Sequence, residues 1–177
     1  MEVTVTEDNP DWPDLFSAEA AELSRVFGDQ LLQIHHIGST SVPGLKAKPI
    51  IDIMPVVKDI RAVDELNDRM EELGYEAMGE FGIPGRRYFR KGGDRRTHQV
   101  HVFETGSPNI RRHLAFRDFL RAHPEEARNY GELKAALAQL YPNDIQGYMA
   151  GKHGYIQRVE AEALSWCVNH GTGGLNR

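Results

Sequence analysis

The sequence predicts an α/β (α+β) protein. A mixed sheet flanked by helices occupies about residues 10–106, and a helical half follows over 107–170. Three observations carry this reading. Apolar runs of strand length stand at 31–37 and 50–57. Two further segments, 86–91 and 97–104, flank the turn signal Gly92-Gly93-Asp94 and read as a hairpin. After Gly106 the apolar spacing changes to that of helices. At 177 residues the chain is long enough for one domain with a real core, and no repeat or linker divides it.

The elements follow in order. Asn9-Pro10 predicts a helix start, with Trp12, Phe16, Leu23, Val26 and Phe27 at helical spacing and Gly28 as the stop. Leu31–Ile37 reads as a strand. Pro49–Val57 is apolar except for Asp52, the pattern of a strand covered on both faces. Asp59 caps a predicted helix with Ile60, Val63, Leu66, Met70 and Leu73 on one face. The stretch Gly82-Ile83-Pro84-Gly85 is a loop, read either as a flap over a site or as a turn. Ser107-Pro108 and Pro124 each open a helix, the second with Ala127, Tyr130, Leu133, Leu137 and Leu140 on its face. Pro142-Asn143-Asp144 precedes a last helix bearing Ile145, Tyr148, Met149, Ile156, Val159, Ala163 and Trp166. The tail from Gly171 is expected to be mobile.

Composition narrows the function classes. The formal net charge is −5, so there is no electrostatic footprint for non-specific nucleic-acid binding. Basic residues cluster only locally, as at Arg86-Arg87, Arg95-Arg96 and Arg111-Arg112. One cysteine, Cys167, excludes an intrachain disulfide and suits a reducing cytoplasm. No apolar run approaches membrane-spanning length, and the acidic start lacks the apolar core of a signal peptide. The expected location is cytoplasmic.

The chemistry-bearing stretch is His35-His36-Ile37-Gly38-Ser39-Thr40-Ser41, followed by Lys48 and Ile50-Ile51-Asp52-Ile53-Met54. Glycine at a strand end lets backbone approach a ligand, and the hydroxyls and amides of Ser39 and Thr40 suit phosphate oxygens. The same residues also fit an ordinary tight turn. Asp52, in a run of Ile and Met, requires a cation or a hydrogen-bond donor. His98 and His101 lie three apart on a predicted strand, so they point to opposite faces unless the strand bulges. Arg112, Arg117 and Lys134 on the predicted helices read either as anion-binding groups or as solvated helix faces.

The segments His36–Gly44, Lys48–Ile53, Thr97–Phe103 and Arg112–Arg121 resemble the GrpB-like family, whose fold is that of the nucleotidyltransferases related to DNA polymerase β. The resemblance runs from about Trp12 to the last helix. Relatives of this module also resemble extensions of dephospho-coenzyme A kinase, which points toward nucleotide or coenzyme A chemistry. The wider superfamily carries a Gly-Ser pair, an acid-x-acid pair on the next strand and a third acid later. Gly38-Ser39 and Asp52 match, with twelve residues between Ser39 and Asp52. Met54 stands where the second acid is expected, and the later strand offers His98, His101 and Glu104 in place of the third.

The resemblance therefore implies metal-dependent nucleotidyl or phosphoryl transfer to an unknown acceptor. Asp52 and His101 would be catalytic. Asp52, His98 and His101 would hold a divalent ion (Mg, Mn or Zn). Gly38, Ser39, Thr40, Lys48, Arg112, Arg117 and Lys134 would bind the phosphate of a small-molecule nucleotide. Two alternatives stand beside it: a non-catalytic module for a nucleotide or coenzyme A-like ligand, and a His/Asp metal-dependent phosphoester hydrolase.

Overall fold

The computed structural model describes residues 2–170, so the tail from Gly171 lies outside the described residues. The chain forms two compact units, each discontinuous in sequence. One comprises residues 11–37 and 50–110; the other comprises residues 2–10, Gly38–Pro49 and 111–170. The segment between the two first predicted strands thus belongs to the helical unit. Among the described residues no helix is long and apolar enough to cross a membrane.

The sheet unit opens with α1 (Trp12–Phe27), which starts at Trp12 rather than Pro10 and carries Pro13 in its first turn. Gly28, at φ 54°, ends it. Five strands follow: β1 (Leu31–Ile37), β2 (Ile51–Val57), β3 (Tyr75–Ala77), β4 (Arg87–Lys91) and β5 (His98–Glu104). Their spatial order is β1-β2-β5-β4-β3, with β2 and β5 parallel and the remaining pairs antiparallel. The sheet is mixed, as expected, and β4–β5 is the hairpin that Gly92-Gly93-Asp94 announces. Asp59 accepts a hydrogen bond from the Arg61 amide, but the turns it opens are 3-10 over Ile60–Leu66 and become α-helical only in α2 (Asn67–Glu72). The tight i→i+3 bond from the Ala62 amide to the Asp59 carbonyl sets that winding, and Val63 and Met70 are still buried.

Side-chain alternation gives the sheet two chemically different faces. Ile53, His36, His98 and Lys91 share the face on which α1 lies: His36 stacks on Phe16 of α1 at 4.8 Å, and Lys91 Nζ reaches Glu19 of α1 at 2.8 Å. Asp52, Gln99, His101 and Tyr88 share the other face. One step of register would exchange the two sets.

In the helical unit, α3 (Pro108–Ala122) contributes from residue 111 onward and is followed by α4 (Pro124–Leu140) and α5 (Ile145–Asn169). Val42 and Leu45 pack with Ala115, Phe119, Leu120, Ala127, Tyr130, Val159, Ala163 and Cys167. A second cluster joins Val3, Leu137 and Tyr148. Residues 2–10 are tied in by the paired backbone bonds between Thr6 and Ala47, at 2.9 and 3.0 Å. Two expected face positions differ. Leu140 is 67% exposed, because the helix ends there, and Met149 turns outward where its neighbour Tyr148 turns inward.

Glu19 is the main polar link between α1 and the sheet. Its Oε1 accepts from the Tyr75 hydroxyl at 2.7 Å and from Lys91 Nζ at 2.8 Å, and its Oε2 lies 3.9 Å from His98 Nε2. Burial opposes ionisation, but the bonds from Lys91 and Tyr75 outweigh it and hold the Glu19 carboxyl below its ordinary 4.5. Burial also holds His98 below its ordinary 6.5. Both groups therefore bind fewer protons folded than unfolded, and both contribute stability that is lost on acidification. Stability is expected to fall as pH drops below 6.5 through His98, and again below 4.5 through Glu19. Urea denaturation across this range checks it. Glu19→Gln should cost about 1.5–3 kcal/mol at neutral pH and flatten the lower limb of the curve.

Candidate functional site

Asp52 lies on β2 beside β5, and His101 lies on β5 two residues beyond Asp52's partner Gln99. Both side chains leave the same face. The His101 Nε2–H donates to Asp52 Oδ1 at 3.0 Å. The opposite ring nitrogen, Nδ1, accepts from Arg86 Nη1 at 3.3 Å. A carboxylate only accepts and a guanidinium only donates. Together they select the imidazole tautomer with its proton on Nε2. The Asp52 side chain is 24% exposed, and its second oxygen accepts no hydrogen bond from the described residues.

Arg86 is buried. Its Nε and Nη2 donate to the carbonyls of Glu80 and Phe81 at 3.1 and 2.9 Å, and its guanidinium lies 4.7 Å from the Tyr88 ring centre. It thereby joins the Glu80-Phe81 segment to His101. Tyr88, directly opposite His101 in the ladder, tilts over its ring at 5.4 Å. Burial raises the Tyr88 hydroxyl above its ordinary range, and the charge of Asp52 adds to this against the pull of Arg96.

His98 is not part of this group. Alternation along β5 sends it to the α1 face, where it meets Glu19 and Thr97. The expected ligand set Asp52–His98–His101 is therefore not assembled. Among the described residues no group of three or more His, Cys, Asp or Glu side chains gathers as for a metal ion. Met54, at the second-acid position, is fully buried. Two divalent ions need several carboxylates, so these residues do not fit a two-metal cluster. A single ion would find one protein oxygen here, Asp52 Oδ2, and would need its remaining ligands from outside these side chains. His101, with Nε2 on Asp52 and Nδ1 on Arg86, presents neither ring lone pair to a metal in this arrangement.

The remaining expected residues lie in the helical unit. Gly38 has φ 72°, in the left-handed region that favours glycine, and opens a 3-10 turn over Ser39–Ser41. The Ser41 hydroxyl closes this turn on the Gly38 carbonyl at 2.5 Å, and Arg121 Nε caps the Ser41 carbonyl at 2.9 Å. Thr40 is buried, and Ser39 is half-buried. Lys134 is buried, with Nζ 4.5 Å from the Tyr130 ring centre. Lys48 and Lys152 lie 5.2 and 5.0 Å from the ring centre of Tyr148, whose hydroxyl burial pushes up to about 12. Arg112 pairs with Glu160 at 3.1 Å, and Arg117 with Asp118 at 2.9 Å. Both guanidiniums thus already engage carboxylates of their own unit.

The sequence reading misses Arg86, Tyr88 and Arg121 as parts of these arrangements. The hairpin register through Gly92-Gly93-Asp94 places Tyr88 opposite His101 and so was a usable signal. Nothing local marks Arg121, whose partner Ser41 is 80 positions away, and the partners of Arg86 are set by the fold of its loop and hairpin. Arg86→Ala should cost about 2–3 kcal/mol in urea denaturation, since it leaves two carbonyls and an imidazole without their donor. Arg86→Lys should recover little, because one ammonium cannot reproduce a planar fork.

A family model described as GrpB protein matches residues 2–162. UPF0157 protein YqkA of Bacillus subtilis is 49% identical over 158 residues, covering 89% of this chain and 46% of that protein. The chain thus spans about half the length of that relative. The crystal structure of conserved protein GrpB from Enterococcus faecalis superposes with TM-score 0.89 at 48% identity, covering 92% of this chain and 98% of that one. Cid1 poly(U) polymerase, solved with MgGTP bound, superposes with TM-score 0.51 at 12% identity over 76% of this chain and 44% of its own. That last likeness is one of fold. The chain belongs to the GrpB family and carries the nucleotidyltransferase fold.

Proposed function

We propose that the chain binds a nucleotide or another phosphate-bearing ligand with one divalent cation beside Asp52 and transfers a phosphoryl or nucleotidyl group from that ligand to an acceptor, a nucleoside diphosphate or pyrophosphate leaving when the ligand is a nucleoside triphosphate. The observation that carries this reading is the hydrogen bond of 3.0 Å from His101 to Asp52 Oδ1, which leaves the second oxygen open on a nucleotidyltransferase fold. Asp52 would hold the ion, Mg²⁺ or Mn²⁺ by the hardness of its oxygen. When bound, the ion would neutralise charge on the ligand's phosphates. His101 orients the carboxylate, and Arg86 fixes the tautomer that lets it do so. His101 is thus a positioning residue in this reading rather than a proton shuttle.

Anion recognition by the helical unit is a separate element of the proposal. Gly38, Ser39 and Thr40 would offer backbone amides and hydroxyls, and Lys48 and Lys134 would offer charge. Arg112 and Arg117 would join them only by leaving Glu160 and Asp118.

One observation favours the non-catalytic alternative, a binding module for a nucleotide or coenzyme A-like ligand. Met54 is fully buried, so the strand supplies one carboxylate where metal-dependent transfer generally uses more. Calorimetric titration of the full chain with ATP, with and without Mg²⁺, separates the two readings. Under the proposal Mg²⁺ tightens binding, and Asp52→Asn removes that gain by about tenfold or more, or ~1.4 kcal/mol, while the fold persists. Asn can still accept from His101, so the thermal midpoint should hardly move. Equal affinity with and without Mg²⁺, with no turnover of the nucleotide, returns the chain to the binding-module reading.

A further inference from the structure

We propose that Phe81 is a stacking platform for the planar base of the nucleotide, an inference that rests on the nucleotide-binding reading above. Phe81 is a large apolar side chain at 55% exposure, so burial does not explain its position. Its backbone lies at φ 48°, and it is the one non-glycine residue with positive φ among those described. A bulky aromatic residue there is strained, and such strain persists only where the surroundings impose it.

The surroundings do impose it. Arg86 Nη2 holds the Phe81 carbonyl at 2.9 Å. The Glu80 carboxylate accepts from the Gly85 amide at 2.6 Å, and the Arg86 amide donates to the Ile83 carbonyl at 3.1 Å. The loop is braced by its own polar groups while its aromatic tip faces solvent.

The ring does not stand alone. Phe81 stacks on Tyr88 with centres 5.3 Å apart and planes 21° apart. Tyr88 in turn tilts over His101 at 5.4 Å, and His101 bonds Asp52. A ladder of three rings thus runs from an exposed face to the carboxylate assigned to the cation. Two guanidiniums flank it: Arg90 lies 5.6 Å from the Phe81 ring centre and Arg86 4.7 Å from that of Tyr88. An aromatic side chain left more than half exposed suits a flat heterocycle, because every base has a π-face that stacks on it. Arg90 engages Glu76 at 3.1 Å and Arg86 holds the carbonyls of Glu80 and Phe81, so these guanidiniums brace the rings, and the flat base is what the platform would hold. An aliphatic partner would gain no such stacking.

The test uses the full chain and three probes: ATP, UTP and inorganic tripolyphosphate, each with Mg²⁺. Phe81→Ala and Phe81→Leu should weaken ATP and UTP binding by roughly 5- to 100-fold, the range of base–aromatic stacking, and leave tripolyphosphate binding unchanged. Phe81→Trp should keep nucleotide affinity, and its fluorescence should be quenched as nucleotide is added. Because Phe81 is exposed, the Ala and Leu variants should melt no earlier than the parent. Unchanged nucleotide affinity in Phe81→Ala overturns the platform and leaves the nucleotide reading standing. A parallel loss of tripolyphosphate binding also overturns it, since the effect would then come from the loop and not from the base. Failure of the parent chain to bind either nucleotide overturns both.

Discussion

A carboxylate on an otherwise apolar strand has to find a donor, and most of the candidate site follows from how Asp52 does so. β2 buries the residues on both sides of Asp52, so water alone cannot satisfy the charge. His101 answers with one N–H. That commitment fixes the imidazole tautomer, which requires a donor at the other nitrogen, and Arg86 supplies it. Arg86 is then itself a buried charge with hydrogens left over, and it places them on the carbonyls of Glu80 and Phe81. Each polar group is held by the need of the one before it. The loop shape at Phe81 is the last link of a chain that begins inside the sheet.

Parity along two strands separates this chain of bonds from a second one. On the α1 face Glu19 engages Lys91, Tyr75 and His98. That cluster holds a helix to the sheet and belongs to stability. On the opposite face Glu76 pairs with Arg90, whereas Asp52 keeps an oxygen unspent. Two histidines three residues apart thus serve different ends, and the β5 backbone carries both without any bulge.

Much of the fold was legible because it rests on local signals. The hairpin, the positions of β1, β2 and β5, and the switch to helices after Gly106 all follow from apolar spacing and turn residues. The site was legible in part. Asp52 stood out because a lone acid in a run of Ile and Met contradicts its surroundings, and the opposite facing of His98 and His101 followed from their spacing. What could not be read was long-range pairing. Arg112 read either as an anion group or as part of a solvated face, and nothing in the helical spacing announced its pairing with Glu160, 48 positions on. Arg86 read only as half of a local basic pair with Arg87, with nothing to announce its bond to His101. Leu140 fitted the helical period, but a period says nothing about where the neighbouring helix ends. The 3-10 turns after Asp59 show the same limit: the cap was legible, the winding was not.

The excursion of Gly38–Pro49 from the sheet unit into the helical unit has a consequence for how the protein can be made. β1 and β2 are sequence neighbours on either side of it and pair antiparallel, so the sheet can start to form as they emerge. The helical unit cannot, because Val42 and Leu45 must wait for partners 70 or more positions later, such as Ala115 and Phe119. An early apolar segment therefore stays uncovered through much of synthesis. Closing so long a loop is slow compared with local pairing. For the same reason no single cut yields two self-sufficient pieces. A fragment ending at residue 110 would retain every strand but carry the Gly38–Pro49 segment with its apolar side chains bare, and a fragment starting at 111 would lack part of its own core.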